Sequence, residues 1–301
     1  MRVIVSGASG LVGRALVGAL RDEGHQVVRL VRHPPRGDDE RRWSPGLEPL
    51  DPAAIADADA LVNLSGAPIA KLPWTPSRRE EILESRIQTT ASLVAALRQA
   101  VEDGRAPGVL VNASAVGYYG SRPGVVLHES SAPGTGFLAE VARRWEETAA
   151  GTPHQVRNVQ IRTGIVLAPE GTAGILRRLT SLGISGPLGG GQQIWPWITL
   201  RDEVGAIVHL LGSQLSGPVN LCAPARTTSA ELGGELARQM HRPYLLPVPR
   251  AVLVAALGDA ARELLLADQH VVPDKLLTDG YHFRDVEVRE AVARTDPRRH
   301  P

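Results

Sequence analysis

Three glycines near the amino terminus are spaced as a phosphate-binding turn requires. Gly7, Gly10 and Gly13 follow an apolar run, Val3 to Val5, and come before a helical stripe of leucines and alanines. A turn between a strand and a helix brings bare backbone against a pyrophosphate, and the helix adds free N–H groups and its positive dipole end. The spacing is G-x-x-G-x-x-G, a variant of the commoner G-x-G-x-x-G. We therefore predict a dinucleotide site whose pyrophosphate is held by Gly7, Ser9, Gly10, Leu11 and Val12.

The charges after the next predicted strand indicate which dinucleotide binds. A site selective for NAD usually carries an acidic residue about 20 positions after the glycines, where it binds the ribose 2′-hydroxyl. No Asp or Glu occurs from Gln26 to Gly37, and Arg32 follows the strand predicted over Gln26 to Val31. A guanidinium binds a 2′-phosphate through paired hydrogen bonds, whereas a carboxylate repels it. Arg32 is thus predicted to select NADP(H), the alternative being a solvated arginine at a strand end.

The composition excludes several classes of function. The 301 residues include 33 basic and 32 acidic side chains, and a formal net charge of +1 gives no reason to expect nucleic acid or an acidic membrane as a partner. No uncharged apolar stretch approaches the roughly 18 residues that suggest a membrane span. The nine histidines occur without an H-E-x-x-H or C-x-x-C pattern, so we expect no metal site.

Cysteine usage and the start of the chain predict a compartment. Cys222 is the only cysteine and cannot form an internal disulfide, which fits a reducing cytoplasm. Because the first strand is predicted to begin at residue 2, we expect no signal peptide. The expectation is a cytoplasmic monomer or homodimer whose partner is a small-molecule substrate.

Strand and helix patterns alternate through the first half of the chain. This alternation predicts an α/β fold, a Rossmann-type doubly wound parallel sheet with a smaller C-terminal substrate lobe. Further strands are predicted over 59–64, 109–111 and 159–166, helices over 76–100 and 136–150, and a loop from Pro34 to Gly46. Residues 1–168 are predicted to form the dinucleotide-binding domain, with about 198–222 returning to it. Residues 169–197 and 223–301 would form the smaller lobe.

Three motifs resemble those of the extended short-chain dehydrogenase/reductases: Ser6 to Gly13, Asn63-Leu-Ser-Gly66, and Ser114-Ala-Val-Gly-Tyr-Tyr-Gly120. More closely, the chain resembles an atypical subgroup, the NAD-dependent epimerase/dehydratase family proteins sometimes called cell-division-inhibitor-like, which carry a C-terminal domain of unknown function. Further matching segments are Ser85 to Thr90, Gly136 to Glu140, Arg162 to Leu167, Gly189 to Trp197 and Gln269 to Phe283. The resemblance implies a Rossmann fold with NADP(H) bound across the carboxyl ends of the strands.

The resemblance also identifies a departure from the usual chemistry. In the superfamily a Tyr-x-x-x-Lys pair is the general acid/base, because a neighbouring cation must lower the pKa of a phenol that titrates near pH 10. Lysine occurs only at Lys71 and Lys275, and the residues four positions earlier are Ala67 and Val271. The catalytic candidates that remain are Ser114, Tyr118 and Tyr119. Both tyrosines have an alternative role as wall residues beside the nicotinamide.

Other segments are predicted to contact the cofactor. Leu64, Ser65 and Gly66 should pass close to the adenosine or the pyrophosphate. Arg86 reaches a phosphate or ribose in one interpretation, and pairs with Glu81 or Glu84 on its own helix in the other. Arg162 pairs either with a charged substrate or with Glu146.

Two functions are compatible with these residues. The first is an NADP(H)-binding atypical short-chain dehydrogenase/reductase, an oxidoreductase or epimerase acting on a small carbonyl or hydroxyl substrate. The alternative is a non-catalytic protein that senses NADP(H), which the missing Tyr-x-x-x-Lys pair favours. The glycine turn and the polar residues predicted at the nicotinamide end favour the enzyme.

Overall fold

The computed structural model describes residues 1–170, 172–183 and 185–295. Its strands are β1 Arg2–Ser6, β2 Gln26–Val31, β3 Glu40–Arg42, β4 Ala60–Asn63, β5 Val109–Ala115, β6 Val126–Leu127, β7 Arg157–Thr163, β8 Ile165–Leu167, β9 Trp197–Thr199, β10 Gly217–Leu221 and β11 His270–Val271. Its helices are α1 Leu11–Asp22, α2 Pro76–Glu102, α3 Phe137–Ala149, α4 Thr172–Ser181, α5 Leu200–Gly212, α6 Ser229–Gln239, α7 Arg250–Leu257, α8 Asp274–Thr278 and α9 Val288–Arg294.

Seven strands form one parallel sheet in the order β10-β7-β5-β4-β1-β2-β3. Helices α1 and α5 cover one face of the sheet, and α2 covers the other with α3 beside it. The strands are therefore apolar on both faces, as Val3, Ile4 and Val5 of β1 show by their complete burial. This arrangement confirms the predicted doubly wound parallel sheet.

The order of the strands indicates where a ligand would bind. The chain runs from β1 through β2 to β3 on one side, and then crosses back to β4 on the other side of β1. Sheets of this kind bind ligands at the carboxyl ends of the strands, at the point where the order reverses. The glycine turn after β1 and the Asn63–Gly66 segment after β4 meet at this point.

Two predicted elements differ from the structure. The strand predicted over 159–166 is two strands, β7 and β8, because Gly164 leaves the main sheet. A Cβ at Gly164 would lie 2.5 Å from the carbonyl oxygen of Pro196, and β8 pairs with β9 instead. The loop predicted from Pro34 to Gly46 contains the edge strand β3. Its three charged residues, Glu40–Arg42, carry no apolar alternation that would reveal a strand.

Several of the remaining helices pack on one another. Helix α6 packs against α4 and α9, and a π-helical turn over Ala261–Leu265 follows α7. None of the described helices is long and apolar enough to cross a membrane. The described residues also contain no cluster of three or more His, Cys, Asp or Glu side chains placed to hold a metal ion.

Candidate functional site

The glycine turn after β1 is closed too tightly for side chains. Gly7 has a φ of +70°, and a Cβ there would lie 2.6 Å from the carbonyl carbon of Leu64. A Cβ at Gly13 would lie 2.2 Å from the carbonyl oxygen of Gly7. Helix α1 therefore packs directly on the turn, and the turn packs directly on the segment after β4.

The amino end of α1 is open. Its N-cap residue, Gly10, provides no side chain to cap the helix. The first N–H groups of a helix have no acceptor within the helix, so those of Leu11 and Val12 are donors for a ligand. Arg14 fixes the turn from outside by donating a 2.7 Å hydrogen bond to the carbonyl of Ser9. The five residues predicted for the pyrophosphate lie together in this turn. The N–H of Gly10 already donates to the carbonyl of Gly7 at 3.0 Å, which leaves those of Leu11 and Val12 at the start of the helix.

A buried polar network holds the Leu64–Gly66 segment. The hydroxyl of Ser6 donates to Asn63 Oδ1 at 2.6 Å, and the same oxygen accepts the N–H of Ser65 at 3.2 Å. The Asn63 amide nitrogen donates to Asn112 Oδ1 at 2.7 Å. Three neighbouring strands, β1, β4 and β5, are joined in this way, which fixes Leu64, Ser65 and Gly66 against the glycine turn.

Two arginines near the end of β2 have different surroundings. Arg29 forms ion pairs with Asp39 at 2.9 Å and Glu40 at 3.0 Å. Arg32 is exposed, and no residue in the described part of the chain forms a hydrogen bond or ion pair with it. Arg32 is therefore the arginine available to a phosphate at this corner of the crevice.

Sequence reasoning did not identify Glu40, which lies beside this corner. Its side chain is buried, with Oε1 paired to Arg29 and Oε2 accepting the N–H of Arg36 at 2.8 Å. Both oxygens are engaged, so the carboxylate shapes the loop after β2 rather than facing a ribose. No sequence motif marks Glu40, because it reaches Arg29 only when β3 pairs with β2.

A cavity of about 150 Å³ lies beyond the Leu64–Gly66 segment. Most of its wall is apolar and comes from the end of β5, from α3 and from Trp195. Four residues with polar side chains are also part of the wall: Arg86, Thr163, Glu263 and Gln269. An apolar pocket with a few convergent polar groups is the usual form of a small-molecule site.

Arg86 is the buried cation of this cavity. Its guanidinium lies 4.9 Å from the ring centre of Trp145, and a Cβ at Gly66 would approach it to 3.0 Å. Nη1 donates to the carbonyls of Ile82 and Ala67, whereas Nε is buried without a partner. Burial lowers its pKa to about 10, so it stays charged at neutral pH. Among the described residues it forms no ion pair, so the predicted alternative of a pair with Glu81 or Glu84 is wrong.

The predicted catalytic serine lies behind the cavity wall. Ser114 donates a 2.7 Å hydrogen bond to Glu146 Oε1, and Glu146 forms a two-pronged ion pair with Arg162. Its neighbour on β5, Ala115, lines the cavity instead, because successive side chains of a strand point to opposite faces. Arg162 pairs with Glu146, so the sequence alternative of a charged substrate partner is not what the structure shows.

Both predicted tyrosines pack on Arg162. The guanidinium carbon lies 3.6 Å from the ring centre of Tyr118. The hydroxyl of Tyr119 accepts from Arg162 Nη1 at 2.8 Å and donates to Asn220 Oδ1 at 2.7 Å. Burial raises the pKa of Tyr119 to about 12 although Arg162 opposes the shift. The phenol is therefore protonated at neutral pH and its hydrogen bonds are satisfied.

The carboxyl-terminal part of the chain closes the cavity. Glu263 accepts the N–H groups of Phe137 and Leu138 at 2.9 and 2.7 Å, and so caps the start of α3. Gln269 donates to the carbonyls of Val116 and Gly120, both at 2.9 Å. These residues lie more than a hundred positions from their partners, and no local motif marks them. Thr163 was missed because the sequence predicted one strand over 159–166, whereas in the structure β7 ends at Thr163.

Comparison with known proteins covers nearly the whole chain. A sequence model described as the NAD dependent epimerase/dehydratase family matches residues 3–222, and a domain of unknown function (DUF1731) matches residues 248–295. Epimerase family protein Mb2239 of Mycobacterium bovis is 41% identical over 296 residues, which is 96% of each chain.

Two solved structures are similar in sequence as well as in fold. The crystal structure of human epimerase family protein SDR39U1 (isoform 2) with NADPH has a TM-score of 0.88 at 30% identity, and the match covers 98% of this chain and 99% of that one. A nucleoside-diphosphate sugar epimerase from Corynebacterium glutamicum has a TM-score of 0.78 at 32% identity, covering 97% of this chain and 57% of that one.

Proposed function

The chain belongs to the NAD dependent epimerase/dehydratase family, as its motifs predicted, and we propose that it binds NADP(H) and acts on a small carbonyl or hydroxyl compound as an oxidoreductase or epimerase. One observation carries the proposal: an unbroken line of contacts runs from Gly7 through the Leu64–Gly66 segment to Arg86 and the cavity. The line follows the carboxyl edge of the sheet, where this fold binds dinucleotides. The similar human protein was crystallised with NADPH.

The residues present fit NADP(H). The cradle formed by Gly7 and Gly13 is one that a Cβ would fill, and the uncapped start of α1 offers backbone donors to the pyrophosphate. The free guanidinium of Arg32 would bind the 2′-phosphate. When bound, the cofactor supplies or accepts a hydride.

The cavity fits one ring, either the nicotinamide or a small substrate, with the other at its mouth. A volume near 150 Å³ is similar to an engineered apolar cavity that binds benzene, so a single ring can occupy it. Arg86, on α2, is a buried cation that could take the place of the absent lysine of a Tyr-x-x-x-Lys pair. We propose that Arg86 binds a ribose hydroxyl or phosphate oxygen of the cofactor there.

The catalytic assignment of Ser114, Tyr118 and Tyr119 stays a prediction. The contacts of Ser114 and Tyr119 favour positioning roles, since both hydroxyls are held in the network around Arg162. The division into a nucleotide-binding domain (1–168 with about 198–222) and a substrate lobe (169–197 and 223–301) is likewise part of the proposal. Gly171, Ile184 and residues 296–301 of that lobe lie outside the described residues.

A second candidate function is a sensor of NADP(H) without turnover. The engagement of the predicted catalytic hydroxyls in buried hydrogen bonds favours this alternative. Both candidate functions require NADP(H) to bind, and they differ in whether the bound nucleotide reacts with a substrate.

The test measures binding and turnover separately. Nucleotide fluorescence reports NADPH binding, and absorbance of the reduced nicotinamide reports its oxidation against a panel of aldehydes, ketones and quinones. We expect NADPH to bind and at least one carbonyl class to be reduced. Binding without turnover across the panel supports the sensor, and absence of NADPH binding contradicts both functions.

A further inference from the structure

A buried carboxyl group lies directly behind the cavity. Glu203, in the first turn of α5, is 1% exposed, and its Oε1 accepts a 2.8 Å hydrogen bond from the hydroxyl of Thr163. Its Oε2 is buried and has no hydrogen-bond partner. Leaving a buried polar atom unpaired costs free energy, so such an atom in a folded protein requires an explanation.

Thr163 joins this carboxyl group to the cavity. It is the last residue of β7, it lies opposite Ala115 of β5, and both residues line the cavity. A threonine hydroxyl donates one hydrogen bond and accepts others. An oxygen–oxygen distance of 2.8 Å is a normal hydrogen-bond length, so a proton can pass between the two groups in either direction.

The groups around Glu203 do not neutralise it. Asp202 precedes it and is held by the N–H groups of Arg284 and Asp285, both at 2.9 Å, and by the Tyr281 hydroxyl. The thiol of Cys222 and the phenol of Tyr281 also face it, and burial raises the pKa of each, with Glu203 adding to the rise. No cation among the described residues contributes to the pKa of Glu203.

Opposing effects set the pKa of the Glu203 carboxyl group. Burial raises the pKa of Glu203 to about 8, and the hydrogen bond from Thr163 opposes the rise. The amino end of α5 favours the carboxylate, because helix N-termini stabilise negative charge. Glu203 is therefore protonated at neutral pH and close enough to its pKa to release the proton.

Building on the proposed function, we propose that Thr163 and Glu203 form a proton relay to the substrate oxygen in the cavity. Thr163 is the residue that meets the substrate, and Glu203 acts through it. The relay supplies the proton chemistry for which the chain has no Tyr-x-x-x-Lys pair.

The step balances in atoms and charge. Reduction of a carbonyl adds one hydride, which the cofactor supplies, and one proton. For this step the hydrogen bond reverses: protonated Glu203 donates to Thr163 Oγ1, and the Thr163 hydroxyl turns to donate to the substrate oxygen. The O–H bond of Thr163 then breaks as the O–H bond of the product alcohol forms. Glu203 returns a proton to Thr163 and becomes a carboxylate, which water protonates again between turnovers. Oxidation of an alcohol uses the same groups in reverse.

The relay predicts a link between the charge of Glu203 and the redox state of the bound nucleotide. An oxidised nicotinamide ring is positively charged and a reduced ring is neutral. A positive charge in the cavity favours the Glu203 carboxylate, so the pKa of Glu203 falls from about 8 when NADP⁺ binds. Below pH 8 we therefore expect NADP⁺ to release a proton that NADPH leaves in place. The affinity for NADP⁺ should rise with pH up to about 8 and stay constant above it.

Titration calorimetry in two buffers of different ionisation enthalpy measures this release. Both nucleotides carry the same 2′-phosphate, so any protons that it exchanges are the same for both. The difference in proton release between NADP⁺ and NADPH therefore reports the effect of the nicotinamide ring alone. We expect NADP⁺ to release more protons than NADPH on binding to the wild type and to Glu129→Gln. The two nucleotides should release equal numbers on binding to Glu203→Gln. Glu129 is a matched control, since it is similarly buried but accepts backbone N–H groups of Asn220 and Lys275.

A second pair of variants tests the link through Thr163. Thr163→Val removes the hydrogen bond that lowers the pKa of Glu203, so the pH midpoint of proton release should move upward, whereas Thr163→Ser should leave it in place. An unchanged nucleotide difference in Glu203→Gln, or equal midpoints in the Val and Ser variants, overturns the relay. Failure of both nucleotides to bind the wild type overturns the proposed function, and the relay with it.

Discussion

The two ends of the candidate site are built in different ways. At the glycine turn the groups proposed to bind the cofactor are backbone N–H groups, and close packing leaves no room for a Cβ at Gly7 or Gly13. At the cavity the proposed groups are side chains, and they come from α2, from β7, from the π-helical turn and from Gln269 just before β11. The turn is local in sequence, whereas the cavity exists only after distant segments pack.

This difference explains how one fold can keep its cofactor and change its chemistry. Backbone donors at a helix start depend on a short run of residues, so they survive wherever that run is kept. Side-chain chemistry depends on which residue each packed element places at the cavity. In this chain α3 presents Leu138, Val141 and Ala142 to the cavity, and the polar groups come from other elements.

The largest expected effect lies in the network behind the cavity. Arg162→Met leaves Glu146, whose side chain is 13% exposed, with its hydrogen bond from Ser114 alone, and loss of one member of a largely buried ion pair costs about 3–5 kcal/mol. Denaturant unfolding measures the loss. Arg143→Met removes an exposed arginine that also bonds two glutamates, and it should change stability little. Similar unfolding of Arg162→Met and the wild type would refute a structural role for this network.

A smaller effect separates two glycines of α1. Gly13→Ala forces a methyl group to within 2.2 Å of the Gly7 carbonyl, so we expect a loss of about 1–3 kcal/mol in stability and weaker NADPH binding. Gly18→Ala meets no atom within 4 Å and should stabilise the helix by about 0.5–1 kcal/mol. Thermal unfolding and NADPH titration measure both. If the two variants have the same stability and the same NADPH affinity, the tight contact at Gly13 matters for neither property.

The contact between Glu263 and the start of α3 should have a smaller effect on stability. Glu263→Ala leaves the N–H groups of Phe137 and Leu138 without their acceptor, which should cost about 1 kcal/mol, as for other helix caps. Glu290→Ala, an exposed residue of α9, is the control. If Glu263→Ala unfolds at the same denaturant concentration as the control, the carboxylate does not act as a cap.

The sequence predicted the sheet and the glycine turn because their signals are local. The apolar run of β1, the glycine spacing and the pattern of α1 lie within about twenty residues, and each follows from a periodicity or a turn requirement. The short, charged strand β3 was missed for the opposite reason. Its place is set by pairing with β2 and not by its own residues.

The cavity could be predicted only in part. The segment from Ser114 to Tyr119 was placed at the right strand end, but a one-residue alternation decides whether Ser114 or Ala115 faces the cavity. Glu203 and Glu263 could not be found, because their importance depends on burial and on partners far away in the chain. A single sequence contains neither quantity.

The central claim is that the crevice between Arg32 and the cavity binds NADP(H), and the most direct test compares NADPH with NADH. Fluorescence titration of the wild type, Arg32→Ala and Arg105→Ala gives the affinities; Arg105 is exposed and follows α2, away from the crevice. Loss of a charge-assisted hydrogen bond costs about 1.5–3 kcal/mol, so Arg32→Ala should bind NADPH roughly 10- to 100-fold more weakly. NADH binding should be unchanged, and Arg105→Ala should match the wild type. Equal losses for both nucleotides, or none, would contradict the account.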